Sequence, residues 1–443
     1  FFVLNVSDGE EISEISPSFK KKILVSKPVM PAMPIENYEH QGIVIKYEPT
    51  TWIDKLNSIV IYCERIENIK ELNHVFEKAI AVVNDAVCLE NFEKIIEKNE
   101  DEEIVKFFEK ISQESEEYRK MVCCTINISD IKKPGFKEII DRVVEPKNKH
   151  LSFVYSLSTD ELQEEFGALT DIISIYIKKK LTLYLKNKRL QKSPYFIGIA
   201  GPYRLSEKEA HEQSCLSIAC TQSSLIVDVK KFYSIYGLDT EKFSQLMFNI
   251  SKSFLSANSL QRRKSQEYFK EIISIDKKNE KEFLEVSRNC IRFWNYGLLE
   301  PGIDSKHVFN MISEAKKKVN QFCIAEETIY KSCGMPTRFK IALACAFREA
   351  DSRLSTAKYN RLKITSIEDL YNQKIKKDII EKEMVTEMFN GGNDVTFHRH
   401  GTVTPDEIVR EISVIMNTYK LPLFSYCFEE TGGNMRITSY FST

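Results

Sequence analysis

Phe339-Lys-Ile-Ala-Leu-Ala-Cys-Ala-Phe347 is the stretch on which the predicted fold rests, because it is apolar at every position except Lys340. A helix that is apolar all round is buried on all sides, so the stretch predicts a central helix of the core. The chain also has few helix breakers, with 15 Gly and 13 Pro in 443 residues. We therefore expect a mainly α-helical protein.

Start and stop signals for helices surround that stretch. Gly237 is placed to end one helix, and Asp239 to begin the next. Asp304 predicts a further start, and Thr404-Pro-Asp-Glu407 combines an N-cap, a proline at the first position and a carboxylate at the third. Residues 173–185 alternate with period two but contain no turn residues, and we interpret them as helix.

Short β-like runs stand near both ends of the chain. At the C-terminal end, Leu423–Phe428 and Met435–Phe441 flank a Gly-rich loop and predict a β-hairpin, with Val395–His398 as a third strand beside it. The expected fold is a multi-helix core with minor β at the N-terminus and a C-terminal β-hairpin, α+β overall. The N-terminal runs are Ile23–Ser26, Gly42–Tyr47 and Ile59–Cys63.

These patterns divide the chain into four regions. Residues 1–64 form a mixed α/β segment, and residues 65–150 an acidic helical region. Residues 151–364 form a basic helical domain, and residues 365–443 a helix followed by the hairpin. A chain of this length is expected to hold more than one domain.

Acidic and basic residues are unevenly distributed along the chain, although the net charge is only −1. Residues 1–150 carry 21 Lys and Arg against 28 Asp and Glu, a net charge of −7. Residues 251–364 carry 22 against 13, a net charge of +9. A folded basic surface of this size favours a polyanionic partner.

The leading hypothesis is therefore a non-enzymatic nucleic-acid-binding protein that binds RNA rather than DNA through phosphate contacts and stacking. A nucleoprotein, or a non-catalytic segment of a larger viral-type replication protein, fits this composition. The alternative for the basic residues is ordinary solvated helix faces. The candidate contacts are Arg262, Arg263, Lys264, Lys316, Lys317, Lys318, Arg338, Lys340, Arg348, Arg353, Lys358, Arg361 and Lys363.

Two other functions stay open. One is a helical scaffold or regulatory protein whose acidic and basic surfaces bind protein partners or further copies of the chain. The other is an enzyme with a small-molecule pocket near Gly198–Arg204, where a strand is expected to enter a glycine turn before a helix. No Gly-Lys-Ser/Thr follows, so this is not a P-loop.

The sequence identifies no catalytic residue, cofactor or metal site. His398 and His400 are spaced to share one face of a strand, and Asp394, Cys427 or Glu429 are conceivable further ligands. Exposed polar residues at a strand edge explain the same pattern, so we predict no metal.

Of the eleven cysteines, Cys123 and Cys124 are adjacent and the others lie far apart, and none form a Cys-x-x-Cys. This favours reduced thiols and an intracellular compartment, cytoplasmic or nuclear. No apolar run reaches the roughly 18–20 residues of a membrane span, so no membrane association is expected. Because the sequence begins at Phe1 and not at Met, a fragment of a longer chain and a chain whose missing loops have been closed up both stay open.

Overall fold

A computed structural model describes most of the chain. The described residues are 34–46, 56–146, 148, 150–162, 166–190, 195–198, 201–204, 218–273, 288–294, 305–332, 339–345, 361–389, 391, 395–399 and 402–428. The predicted run Ile23–Ser26 and the second hairpin strand, Met435–Phe441, lie outside these ranges.

Helices and strands are interspersed along the described chain. The helices are α1 (Pro34–His40), α2 (Ile69–Val82), α3 (Glu93–Ile96), α4 (Asp101–Tyr118), α5 (Phe136–Val143), α6 (Phe166–Lys179), α7 (Val229–Tyr236), α8 (Thr240–Ile273), α9 (Ser305–Ser332), α10 (Gln373–Met388) and α11 (Pro405–Thr418). The strands are β1 (Val44–Lys46), β2 (Leu56–Tyr62), β3 (Val83–Glu90), β4 (Met121–Asn127), β5 (Leu151–Leu157), β6 (Thr182–Asn187), β7 (Tyr195–Gly198), β8 (Gly201–Arg204), β9 (Ile218–Asp228), β10 (Arg288–Trp294), β11 (Ile341–Cys345), β12 (Arg361–Ile364), β13 (Val395–Arg399) and β14 (Leu423–Cys427).

A mixed sheet of 12 strands organises the molecule, in the order β11-β10-β9-β2-β3-β4-β5-β6-β14-β13-β12, with β1 also paired to β9. Strands β2 to β6 run parallel to one another. Strands β9 to β11 form a second parallel set, and β12 to β14 a third. The antiparallel pairs β2–β9 and β6–β14 join the sets. The protein is therefore α/β, and the prediction of a mainly α-helical core with minor β is wrong.

Two buried ion pairs require the sheet to be strongly curved. Arg292 on β10 lies 2.9 Å from Asp85 on β3, although β9 and β2 separate the two strands. Lys186 on β6 lies 3.0 Å from Glu90 on β3, with β5 and β4 between them. Three strand spacings amount to about 14 Å, and side chains stand nearly perpendicular to a flat sheet. Both pairs can form only across a concave face.

Gly391 brings the two ends of the curved sheet together. Its backbone N–H, just ahead of β13, donates to the carbonyl of Leu343 on β11 at 2.5 Å. A Cβ at position 391 would lie 2.6 Å from that carbonyl oxygen, so only glycine allows this approach. This contact draws the β11 edge of the curved sheet to the residues ahead of β13, so the sheet is barrel-like.

Helices cover the convex face of the barrel in two apolar clusters. Helices α2, α4, α5, α6 and α11 pack on strands β2 to β6 and β12 to β14, with Phe76 and Phe108 buried between them. Helices α1, α7, α8 and α9 pack on β9 to β11 around Phe243 and Ile312. A smaller cluster lies on the concave face and draws on strands of more than one set.

The stretch 339–347 contains strand β11 and not the predicted central helix. Ile341 and Leu343 pack under the helices of the convex face, whereas Ala342 and Ala344 belong to the concave cluster. A parallel strand that is buried on both faces is apolar along its whole length. Periodicity alone cannot distinguish such a strand from a buried helix, and this is the physical reason for the error.

Predictions of helix starts and stops from local signals are confirmed at three positions. Thr404 caps α11 in a reciprocal capping box, Asp239 accepts the amide of Lys242 at the start of α8, and Gly237 ends α7 with a φ of 66°. Of the alternating residues, 173–177 are helical as predicted, but 182–185 form part of strand β6. The division into four regions stays a prediction.

None of the helices in the described ranges combines the length and apolar character that crossing a bilayer requires.

Candidate functional site

Buried polar side chains are concentrated on the strands of the barrel, although enclosed cores are usually apolar. Polar groups in such a place need hydrogen-bond partners from the protein, from water or from a ligand. The interior is therefore suited to hold a polar molecule. Apart from Asp228 and Arg399, which bond to residues of α7 and α11, the strand residues concerned are Asn57, Ser58, Asn84, Asp85, Glu90, Thr125, Ser156, Lys186, Asn187, Thr221, Gln222, Ser223, Ser224, Asn289, Arg292, Thr396 and Ser425.

Glu90, the last residue of β3, is the centre of the first polar group. Its Oε1 lies 3.0 Å from Lys186 Nζ, and its Oε2 accepts the Thr125 hydroxyl and lies 4.0 Å from Cys88 Sγ. The hydroxyl of Tyr62 has no hydrogen-bond partner among the described residues, and burial together with the charge of Glu90 raises its pKa. Tyr62 thus remains a proton donor. These five residues are called the Glu90 cluster below.

A second carboxyl group lies beside this cluster. Glu93, on the short helix that follows β3, is 1% exposed, and its Oε2 accepts the backbone N–H of Asn127 at 3.0 Å. Burial raises the pKa of Glu93 to about 7, and the charge of Glu90 acts in the same direction. A carboxyl group with this pKa can take up and release a proton near neutral pH.

Asp85 and Arg292 form the second polar group, and both side chains are fully buried. Two of the three strand pairs between β10 and β3 contain a break in register. The register between β2 and β3 shifts near Asp85, and the register between β9 and β10 shifts between Thr221 and Ser224. Such bulges occur preferentially beside binding sites, where they redirect side chains.

Strand β9 carries hydroxyl groups that lack partners. Thr221, Ser223 and Ser224 are each at most 1% exposed, and their hydroxyl oxygens make no hydrogen bond to the described residues. The indole N–H of Trp294 on β10 is also buried and makes no hydrogen bond to the described residues. These groups can bind water or the polar atoms of a ligand.

The β7–β8 hairpin crosses the barrel interior. Strand β7 contacts β3 and β4, whereas β8 contacts β11, which lies four or more strands away in the sheet. Helices cover the convex faces of β3 and β4, so the hairpin lies against their concave faces. The concave cluster is lined there by small side chains, namely Ala86, Cys88, Cys123, Ala342 and Ala344, which leave room for a second layer of backbone.

The hairpin corrects the sequence interpretation of the region Gly198–Arg204. A strand followed by a glycine turn and a helix was expected, but Gly201 begins strand β8, which pairs antiparallel with β7. The segment is thus placed inside the barrel by β-pairing and not by a helix N-terminus.

The predicted nucleic-acid contacts are distributed over several elements. Lys316 on α9 is half-buried and donates to the Met388 carbonyl at 2.5 Å, and burial lowers its pKa. Lys317 is exposed and pairs with Glu314 at 2.6 Å, and Lys318 is exposed. These side chains belong to the outer surface of one helix.

The other candidates lie elsewhere or outside the described residues. Arg262, Arg263 and Lys264 fall within α8, Lys340 precedes β11, and Arg361 and Lys363 lie on β12. Arg338, Arg348, Arg353 and Lys358 lie outside the described ranges, as do Asp394, His400 and Glu429. His398 on β13 stands opposite Cys427 on β14. Among the residues described, no cluster of three or more potential metal ligands occurs.

Sequence reasoning missed the polar residues that line the barrel. The usable signal was polar residues inside β-like runs, as in Thr221-Gln-Ser-Ser224 between the apolar residues 218–220 and 225–227. Such an interruption in a buried strand indicates an enclosed polar site. No sequence signal paired Glu90 with Lys186, because 96 residues separate them.

No protein-family model matches the chain, and no curated protein matches its sequence. Its fold is similar to that of solved anaerobic ribonucleotide reductases from Thermotoga maritima. A structure in complex with dATP and CTP has a TM-score of 0.56 and 10% identity, covering 88% of this chain and 77% of that one. A structure with dATP bound in the specificity site has a TM-score of 0.52 and 11% identity, covering 88% and 78%. A third, with citrate in the active site, has a TM-score of 0.51 and 11% identity, covering 88% and 84%.

These likenesses overturn the predicted function. The prediction was a non-enzymatic, helical RNA-binding protein of the nucleoprotein kind, whereas the structural neighbours are enzymes with an α/β fold. The basic segment 251–364 supplies strands β10, β11 and β12 to the sheet. The basic residues of this segment are close together in the sequence, but in the fold they lie on separate helices and strands.

Proposed function

We propose that this chain is an enzyme that binds a nucleotide inside its barrel. The observation that carries the proposal is the concave interior that holds the Glu90–Lys186 pair together with hydroxyl groups on β2 and β9 that have no hydrogen-bond partner among the described residues. The similar folds solved with dATP and CTP support a nucleotide as the ligand class. The reducing compartment inferred from the cysteine spacing stays part of this proposal.

The Glu90 cluster supplies the groups that a nucleotide needs for orientation. Lys186 offers ammonium N–H donors to ligand oxygens, and Glu90 accepts hydrogen bonds from ligand hydroxyls. Tyr62 is a further donor because burial keeps its hydroxyl protonated. The low dielectric constant of the concave interior strengthens each of these interactions.

Glu93 is the group best placed to exchange protons in this region. Its pKa of about 7 leaves both protonation states populated near neutral pH. The backbone N–H of Asn127 donates to its Oε2, and its Oε1 lies 4.0 Å from Lys94 Nζ. Proton transfer by a positioned carboxyl contributes typically about 10²–10⁴-fold to a reaction rate.

Calorimetric titration of the purified chain with CTP and with dATP tests the proposal. The double variant E90Q/K186M removes both charges of the pair but keeps the shapes of the side chains, so neither charge is left alone in the interior. The matched control is K137M/D171N, which neutralises an exposed Lys–Asp pair 2.6 Å long on helices α5 and α6.

The wild type and the control should bind one of these nucleotides saturably. E90Q/K186M should bind at least about tenfold more weakly, because charged hydrogen bonds contribute about 1.5–3 kcal/mol. The proposal fails if the wild type binds neither nucleotide, or if both variants bind as the wild type does.

A further inference from the structure

Two thiols face each other inside the barrel. Cys88 on β3 and Cys123 on β4 are direct partners in the parallel register, and both belong to the concave cluster. Both are fully buried, and the two side chains are hydrogen-bonded to each other. Neighbouring strands lie about 4.7–4.9 Å apart, which falls inside the Cα separation of roughly 4.4–6.8 Å that a disulfide requires.

The adjacent cysteines point away from this pair. Cys124 follows Cys123 directly, but it belongs to the convex cluster, together with Cys63. Successive residues of a strand project to opposite faces of the sheet. Cys123 can therefore reach Cys88, whereas Cys124 cannot do so without a change in the register of the strand.

Cys88 also contacts the carboxylate at the centre of the proposed binding site. Its Sγ lies 4.0 Å from Glu90 Oε2, the oxygen that also accepts the Thr125 hydroxyl. A disulfide to Cys123 removes the S–H donor and draws the sulfur toward β4. The oxidation state of the pair thus changes the hydrogen bonding of Glu90, which in turn holds Lys186.

We propose that Cys88 and Cys123 form a reversible disulfide that acts as a redox switch on the Glu90 cluster. With hydrogen peroxide as oxidant, one thiolate attacks a peroxide oxygen and gives a sulfenic acid and hydroxide. The second thiol then displaces the sulfenic oxygen as water and forms the S–S bond. Overall, two thiols and one peroxide give one disulfide and two waters, and a small dithiol reverses the step.

Burial sets the conditions under which the switch responds. It raises the pKa of the Cys88 thiol, and only the thiolate is nucleophilic. Oxidation should therefore be slow near neutral pH and should accelerate as the pH rises. A small uncharged oxidant is the class of reagent suited to this enclosed pair.

Peptide mapping of the whole chain tests the disulfide itself. The protein is treated with hydrogen peroxide, alkylated under denaturing conditions and digested with trypsin without reductant. Mass spectrometry should find the peptide with Cys88 joined to the peptide with Cys123, and dithiothreitol should separate them. C88A and C123A should lose this product, while the matched variant C124A should keep it.

Absence of the linked peptides from the oxidised wild type would overturn the inference, as would their persistence in C123A. The effect on ligand binding rests on the proposed function, and nucleotide titration of the oxidised and reduced wild type measures it. An affinity change of several-fold supports the switch, and equal affinities contradict it. If neither form binds nucleotide, the proposed function fails, while the disulfide is still decided by the peptide map.

Discussion

The two ion pairs inside the barrel differ in depth and in surroundings. Asp85 and Arg292 are completely buried and span the sheet above β9 and β2. Glu90 and Lys186 lie at the ends of β3 and β6 and keep a small exposure of 4–5%. Glu90 is also bonded by a hydroxyl and a thiol, and a second carboxyl with a pKa near neutrality lies beside it.

This difference indicates different roles. A completely buried pair has no access to water that could compensate for a lost partner, so it serves chiefly to hold the curved sheet together. The pair at the strand ends has hydrogen-bonding neighbours in Thr125 and Cys88, and the nearby Glu93 has a raised pKa. Perturbed titratable groups of this kind are typical of functional sites. Arg292 therefore contributes mainly to stability, while the surroundings of the Glu90 cluster fit the proposed function.

The largest expected effect is from R292M. The variant leaves the Asp85 carboxylate in the interior without its cation, which should lower the free energy of unfolding by about 3–5 kcal/mol. Urea denaturation followed by circular dichroism measures the change. D85N/R292M should recover much of the loss because it removes both charges. A loss below about 1 kcal/mol for R292M would show that this pair does not support the sheet.

The next effect is a pH dependence caused by Glu93. Its pKa in the folded protein is about 7 against an ordinary value of 4.5, so the neutral carboxyl stabilises the fold at low pH. This contribution is complete below pH 4.5 and is lost as the pH rises to about 7. E93Q should not lose this stability as the pH rises. The free energy of unfolding of E93Q minus that of the wild type should therefore be about 3 kcal/mol larger at pH 8 than at pH 4.

Unfolding titrations of both proteins from pH 4 to pH 8 measure that difference, with E102Q as a control at an exposed carboxylate that pairs with Arg142. Parallel curves for E93Q and the wild type would mean that burial does not hold the Glu93 proton.

The smallest effect is expected from K186M. Glu90 keeps its bonds to Thr125 and Cys88 when the lysine is removed, so the cost should be about 2 kcal/mol. The same urea experiment measures it beside R292M, with the exposed K137M as a control that should change stability by less than about 0.5 kcal/mol. If K186M proves as costly as R292M, the two pairs do not differ in role.

Local features of the fold could be predicted from the sequence. The caps at Thr404 and Asp239 and the stop at Gly237 depend on residues within one turn of the chain, and all three are present. The strand Val395–His398 was also recognised, because its β-propensity is local.

Features that depend on burial could not be predicted in this way. Residues 339–347 are apolar on both faces because helices cover one side of β11 and the barrel interior lies on the other. The same pattern fits a buried helix, so the sequence left the choice open and the prediction took the wrong alternative. The basic residues led to a wrong functional prediction for a related reason. A net charge counted along the sequence does not show on which surface of the fold those charges lie.

The sequence by itself determined the end of α7, the starts of α8 and α11, and the supply of apolar segments and thiols. Only the tertiary structure decided which of those strands are neighbours and which side chains meet inside the barrel. Asp85 and Arg292 are 207 residues apart, and Glu90 and Lys186 are 96 apart. Contacts of this kind depend on the curvature of the sheet, which is held by packing of the whole chain and not by any local preference.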